Sequence, residues 1–101
     1  MVKLIYSGRA LADLERLTDF LIAIDPSAAE ETVGLIEEAV ELLIRHPLIG
    51  RPVESALREL VISRGRTGYI ALYSFEEERD AVLVLAIHHQ REAGYWVQDD
   101  G

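Results

Sequence analysis

Residues 81–87 form an unbroken apolar run that ends at once in His88 and His89. A strand that faces water on one side alternates apolar and polar residues, whereas a run without alternation predicts a strand with two apolar faces. Imidazole groups at the end of such a strand lie at a sheet edge, where small proteins often carry functional residues. The chain is therefore expected to build its fold around this strand.

The length of 101 residues predicts one domain over residues 1–101, with a flexible tail at residues 97–101. The chain contains no cysteine, which excludes disulfides and thiolate metal sites. No stretch reaches the roughly 18 apolar residues of a membrane span. We expect a cytoplasmic protein without a metal, a cofactor or a membrane contact. The net charge of −8 argues against nonspecific nucleic-acid binding over the whole surface.

The charge is uneven, because residues 45–75 carry five arginines against two glutamates, a local charge of +3. Guanidinium groups offer paired N–H donors that suit carboxylates and phosphates. The residues predicted to bind a partner or a target through such contacts are Arg51, Arg58, Arg64, Arg66 and Arg91. The alternative is that individual arginines form ion pairs within the protein.

Two amphipathic helices precede the strands, because apolar residues recur at three- and four-residue steps over residues 10–24 and again over 29–43. Ser7 is placed to cap the first helix and Pro26 to begin the second. The first apolar stripe consists of Ala10, Leu14, Leu17, Leu21 and Ile24, widened by Leu11 and Phe20. Asp13 lies largely outside that stripe. The short connector predicts an antiparallel helix hairpin.

Four strands are predicted, at residues 2–6, 58–63, 69–75 and 81–88, with a loop at residues 47–54. The last three strands are joined by short connections, which favour antiparallel pairing of neighbours. The predicted fold class is α+β in the order β-α-α-β-β-β. An N-terminal strand is followed by a helix hairpin that packs on one face of a C-terminal antiparallel sheet.

The last predicted strand offers apolar residues on both faces. Alternation assigns Val82, Val84 and Ala86 to one face and Leu83, Leu85 and Ile87 to the other. Two helices suffice to cover only one face, so we expect the second face to meet a partner, with Leu83 and Leu85 as contact residues. The alternative is that the first strand, the loop and the tail cover it.

The order of elements and a set of short motifs resemble the RelE/ParE superfamily of toxins from type II toxin–antitoxin systems. The motifs are a first strand ending near Ser7, Asp13-Leu14, Pro26 with Ala28-Ala29, the loop from Pro47 to Arg51, Arg58-Glu59-Leu60, Gly68-Tyr69, Leu72-Tyr73 and the segment from His88 to Tyr95. They cover nearly the whole chain and look closer to the ParE side, which includes plasmid-stabilisation proteins.

The resemblance implies a toxin neutralised by a cognate antitoxin, whose C-terminal segment wraps over it in a hetero-oligomer that contacts DNA only through the antitoxin. ParE-type members poison DNA gyrase and are not hydrolases, whereas RelE-type members cleave mRNA in the ribosome. The prediction is growth arrest by binding a cellular target, with DNA gyrase as the candidate. The alternatives are a RelE-like ribosome-dependent mRNA endonuclease and a non-toxic binding module derived from a toxin.

Cleavage of RNA at a 2′-hydroxyl needs a base, an acid and cations around the phosphate. In RelE-type members, basic residues on the sheet and a C-terminal tyrosine supply these groups. Here Val61, Ser63 and Ile70 stand at the positions expected to be basic, and Arg91 alone matches. These departures argue against ribonuclease activity.

The remaining candidate catalytic residues are His88, His89 and Tyr95, together with Arg91. Histidine transfers protons near neutral pH, but adjacent strand residues point to opposite faces, so the two imidazoles cannot act on one substrate. The alternative is that one histidine is a hydrogen-bonded core residue and the other is solvated. Tyr95 is offset from the family position, and Trp96 is a candidate interface anchor.

Overall fold

The computed structural model describes residues 2–64 and 67–90. Within these ranges the chain forms two α-helices and one five-stranded sheet. The elements are β1 (Lys3–Tyr6), α1 (Gly8–Ile24), α2 (Pro26–Arg45), β2 (Arg51–Pro52), β3 (Arg58–Arg64), β4 (Thr67–Glu76) and β5 (Ala81–His89). The strand order in the sheet is β1-β5-β4-β3-β2. The predicted α+β class and element order are confirmed. No helix of the described residues is long and apolar enough to cross a membrane.

The three C-terminal strands pair as antiparallel neighbours, as the short connections predicted. The N-terminal strand β1 joins the same sheet and lies parallel to β5, with Lys3 opposite Ala81 and Tyr6 opposite Val84. The predicted loop at residues 47–54 is wrong at Arg51–Pro52, which pairs with β3. Strand β5 thus lies between β1 and β4, which explains its long apolar run.

A β-bulge interrupts the pairing of β4 with β5. Tyr73 pairs with Val84 and Leu72 with Ala86, so Leu85 is an extra residue on β5. The predicted alternation is therefore wrong beyond the bulge: Ile87 shares the helix-covered core with Val82 and Val84, and Ala86 lies on the opposite face. A single inserted residue exchanges the faces of all residues that follow it.

Both helices begin with a capping side chain; the sequence predicted the Ser7 cap and the start at Pro26, but not the Asp25 cap. The Ser7 hydroxyl accepts a 3.0 Å hydrogen bond from the Ala10 amide. Asp25 ends α1, and its carboxylate accepts from the amides of Ser27 and Ala28 at the start of α2. A connector of one residue holds the helices in the predicted hairpin. The sequence therefore encodes the turn in the Asp-Pro pair.

The hydrophobic core lies between the hairpin and one side of the sheet, here called the helix face. Its largest fully buried side chains include Ile36, Val40, Leu43, Tyr73 and Ile87. The predicted stripe of α1 is too wide, because Leu11, Phe20 and Ile24 are 55, 63 and 67% exposed. Periodicity identifies the side of a helix that faces the core, but not how far along that helix the core extends.

Candidate functional site

The side of the sheet opposite the hairpin, here called the open face, has an apolar centre and polar residues around it. Strand register places on it Lys3, Ile5, Arg51, Glu59, Val61, Ile70, Leu72, Ser74, Glu76, Ala81, Leu83, Ala86 and His88. Ile5 and Val61 are 47 and 44% exposed, Leu72 and Leu83 are half-buried, and Ile70 and Ala86 are buried. The apolar character agrees with the expectation from the sequence, and contact with a partner stays a prediction. Leu85, the other residue predicted to make that contact, is the half-buried inserted residue of the bulge.

The two histidines at the end of β5 point to opposite sides of the sheet, as predicted. His88 pairs with Ile70 and is 3% exposed. His89 pairs with Tyr69 and is half-buried, with the two rings edge to face at a centroid distance of 5.3 Å. The imidazoles are therefore separated by the sheet and cannot act on one substrate.

A charged cluster on α1 packs against the edge of β5. The Asp13 carboxylate accepts a 2.9 Å hydrogen bond from the Ile87 amide, and the guanidinium groups of Arg9 and Arg16 lie 3.9 and 3.5 Å from it. Nη2 of Arg9 is 3.4 Å from Nε2 of His88. Asp13 is only 7% exposed, so its placement outside the buried stripe was wrong. The sequence analysis did not predict this cluster. The signal was the spacing of Arg9, Asp13 and Arg16, because opposite charges three or four residues apart on a helix lie close together.

Arg51 is engaged within the protein. Its Nε and Nη2 atoms lie 3.0 and 2.9 Å from Oε1 of Glu59, the residue opposite it on β3. Glu59 is 8% exposed, so this cross-strand ion pair is buried at its acidic end. The alternative of internal pairing therefore holds for Arg51, whose side chain is otherwise largely exposed to solvent.

Arg58 and Tyr73 hold the loop of residues 47–50, here called the strut loop. Nη1 of Arg58 donates to the carbonyl oxygens of Leu48 at 3.1 Å and Gly50 at 2.7 Å. The Tyr73 hydroxyl donates to the Pro47 carbonyl at 2.8 Å and accepts from the Gly50 amide at 2.9 Å. Burial raises the pKa of Tyr73. The sequence did not predict the role of Tyr73.

The other predicted site residues lie at the end of β3 or outside the described residues. Arg64 ends β3, and Arg66, Arg91, Tyr95 and Trp96 lie outside the described residues. Their predicted roles stay predictions. Within residues 2–64 and 67–90, no three His, Asp or Glu side chains converge in a way that could hold a metal ion.

These features define a small α+β protein with a helix hairpin on one side of its sheet and an apolar open face on the other. The chain belongs to the family described as ParE toxin of type II toxin-antitoxin system, parDE, which matches residues 4–94. Membership in the RelE/ParE superfamily, expected from the motifs, is confirmed.

Two curated relatives carry the RelE name, although the matching family is described as ParE toxin. Toxin RelE3 of Caulobacter vibrioides is 37% identical over 84 residues, covering 83% of this chain and 89% of the relative. Toxin RelE1 of the same organism is 37% identical over 67 residues, covering 66% of this chain and 72% of the relative. The names alone therefore do not separate the two activities of the superfamily.

Solved structures agree with the fold. A chain of the chromosomal ParDE TA system from P. aeruginosa superposes with a TM-score of 0.72 at 27% identity, covering 87% of this chain and 95% of that chain. A chain of the intact E. coli RelBE toxin-antitoxin complex superposes with a TM-score of 0.62 at 15% identity, with the same coverage, and supports the fold alone.

Proposed function

We propose that this toxin arrests bacterial growth by binding a cellular target, with DNA gyrase as the first candidate, and that a cognate antitoxin neutralises it. The observation that carries the proposal is the chemistry of the open face within a member of the ParE family. An inhibitor that acts by binding needs an apolar contact surface, whereas a ribonuclease needs cations around a phosphate.

The open face favours binding over phosphate chemistry. Val61 and Ile70 occupy the positions where RelE-type members carry basic groups, and they pair directly across β3 and β4. The ion pair described above already neutralises Glu59 and Arg51. Of the open-face side chains described, Lys3 beside Ala81 is the one ammonium group. Over residues 2–64 and 67–90, the Val61–Ile70 pair therefore offers a scissile phosphate no cation of the kind that stabilises its transition state.

A cognate antitoxin is the second part of the proposal. The solved relatives described above are toxin–antitoxin systems and complexes, and the partly exposed apolar groups of the open face are suited to a partner that covers them. Contact with operator DNA would then come through the antitoxin, because a protein of net charge −8 repels a polyphosphate. The proposal places toxin, antitoxin and target in the cytoplasm.

The rival function is a ribosome-dependent mRNA endonuclease. It is favoured by the relatives named RelE toxins and by the approach of Arg9 to His88, which pairs a cation with an imidazole. The burial of His88 opposes it, because a proton-transfer group must reach the substrate hydroxyl.

Induced expression in a bacterial host, with and without the cognate antitoxin, tests the proposal. Growth should stop with the toxin alone and continue when both proteins are made. The purified toxin should inhibit DNA supercoiling by gyrase and leave ribosome-bound mRNA intact. Normal growth with the toxin alone would identify a non-toxic binding module, and cleavage of the mRNA would identify the endonuclease.

A further inference from the structure

A groove of about 280 Å³ lies at the end of the sheet where β4 turns into β5. This volume is just below the about 300–1,000 Å³ of small-molecule sites, so it suits one or two side chains of a protein partner. Its lining is mainly apolar and includes Leu48, Ala56 and Phe75, with Arg58 as its cation and Glu77 as its carboxylate.

The cation in the groove is half-buried and is not neutralised by a described carboxylate. Both hydrogen bonds of Arg58 run from Nη1 to carbonyl oxygens of the strut loop. Arg51 differs, because its guanidinium pairs with Glu59, whereas Arg58 forms no ion pair within residues 2–64 and 67–90. Among the described residues, no acceptor is bonded to Nε or Nη2 of Arg58, so both can donate to a partner's carboxylate, and a charge-assisted hydrogen bond there is stronger than a neutral one.

Both walls of the groove are preformed. On one side the strut loop displays Leu48, which is 58% exposed although the loop backbone is fixed by Arg58 and Tyr73. On the other side Ser55 and Ala56 have φ values of 58° and 63°, a left-handed conformation that is strained for residues with a Cβ atom. Such strain persists where the surrounding structure maintains it and often marks functional sites. A rigid groove loses little entropy when it binds.

We propose that this groove binds a segment of the antitoxin in which a carboxylate adjoins a large apolar side chain. The inference rests on the proposed function, since it names how the neutralising partner is recognised. The carboxylate would pair with Arg58, and the apolar side chain would pack between Leu48 and the apolar wall.

Charge and exposure favour the antitoxin as the occupant. Arg58 has no ion-pair partner among the described residues and therefore attracts a carboxylate of an acidic segment, whereas two copies of a chain of net charge −8 repel each other. Leu48, in the groove wall, is an exposed apolar group. Stable complexes have more hydrophobic interfaces than transient ones do. An exposed apolar wall therefore favours the stably bound antitoxin over a transiently bound target.

Two matched pairs of variants test the proposal by titrating purified cognate antitoxin. Leu48→Ala removes a groove wall, and Ile49→Ala removes a similarly exposed residue outside the groove lining. We expect Leu48→Ala to weaken binding by about tenfold or more and Ile49→Ala to have a much smaller effect. Thermal unfolding of each variant checks that the fold is retained.

The second pair of variants tests whether charge in the groove affects antitoxin binding. Glu77 lines the groove, whereas the neighbouring exposed Glu78 does not, so Glu77→Lys and Glu78→Lys change the net charge equally. Glu77→Lys should tighten antitoxin binding by several-fold relative to Glu78→Lys, and the difference should shrink at high salt. A double-mutant cycle tests the same contact from both proteins. Replacing one acidic residue of the antitoxin should weaken binding to the unaltered toxin, but should have little further effect on binding to the Arg58→Gln variant.

Equal affinities within both pairs, with tight binding by the unaltered toxin, would overturn the groove assignment and leave the proposed function standing. Failure of the unaltered toxin to bind the antitoxin would instead overturn the proposed function. If the groove variants lose growth arrest but bind antitoxin normally, the groove belongs to the target and the assignment to the antitoxin is wrong.

Discussion

The Asp13 carboxylate accepts a 2.9 Å hydrogen bond from the Ile87 amide, across 74 residues of sequence. Strand β1 pairs with β5 only as far as Val84. Beyond Val84, the edge of β5 forms its hydrogen bonds with Ser7 and α1. The Ser7 amide and hydroxyl donate to the carbonyls of Val84 and Leu85, and Asp13 then accepts from Ile87. Backbone groups that a neighbouring strand would satisfy are thus bonded by the start of a helix.

Asp13→Ala should lower the free energy of unfolding by about 1–3 kcal/mol, because it leaves the buried Ile87 amide unbonded. Urea denaturation followed by circular dichroism measures the change. Asp19→Ala is the matched control on the exposed side of α1 and should stay within about 0.5 kcal/mol. Equal effects of the two substitutions would show that the Asp13 contact does not stabilise the fold.

Gly50→Ala should destabilise the protein by about 1–3 kcal/mol or more through overpacking. A Cβ atom there would lie 2.7 Å from the Tyr73 ring and hydroxyl and 2.8 Å from the Glu59 carbonyl oxygen. Gly34→Ala, in the middle of α2 with nothing within 4 Å, should instead stabilise by about 0.5–1 kcal/mol. Thermal denaturation of both variants should give shifts of opposite sign, and shifts of the same sign would contradict the packing described for Gly50.

Stability should fall as the pH rises above about 10, the ordinary pKa of tyrosine. Burial raises the pKa of Tyr73, and burial together with Glu37 and Glu41 raises that of Tyr6. A pKa that is higher in the folded state gives stability that is complete below the unfolded value and is lost as the pH rises through the folded one. Tyr73→Phe combined with Tyr6→Phe should flatten the alkaline slope of unfolding free energy against pH. An unchanged slope would show that titrating groups other than these two tyrosines cause the loss of stability at alkaline pH.

Leu83→Glu should weaken antitoxin binding, because a carboxylate would be buried where the open face meets the partner. Ile22→Glu is the control, since Ile22 is 49% exposed on the helix hairpin and lies away from that face. Calorimetric titration with antitoxin measures the affinity, and circular dichroism checks folding. If the folded Leu83→Glu protein binds as tightly as the control, the open face is not the antitoxin surface.

Local signals were enough to predict most secondary structure. Helical periodicity, the Ser7 cap and Pro26 as a helix start identified the hairpin, and short connections identified the antiparallel order of β3, β4 and β5. These features depend on neighbours in sequence. The parallel pairing of β1 with β5 joins segments far apart in the chain, so no local pattern could specify it.

The candidate site was less predictable because its residues act through long-range contacts. The bulge at Leu85 reverses the faces of Ala86 and Ile87 without any mark in an apolar run. Arg58 was assigned to partner recognition, yet part of its guanidinium fixes the strut loop together with Tyr73. Side-chain bonds to distant backbone carbonyls leave no periodic signal.

Pulse-labelling of DNA and protein synthesis in one culture, in the first minutes after the toxin is induced alone, tests the central claim most directly. Inhibition of gyrase by binding predicts that DNA synthesis falls first while protein synthesis continues. An earlier fall in protein synthesis would contradict the account. It would mean that the toxin acts at the ribosome despite Val61 and Ile70 on its open face.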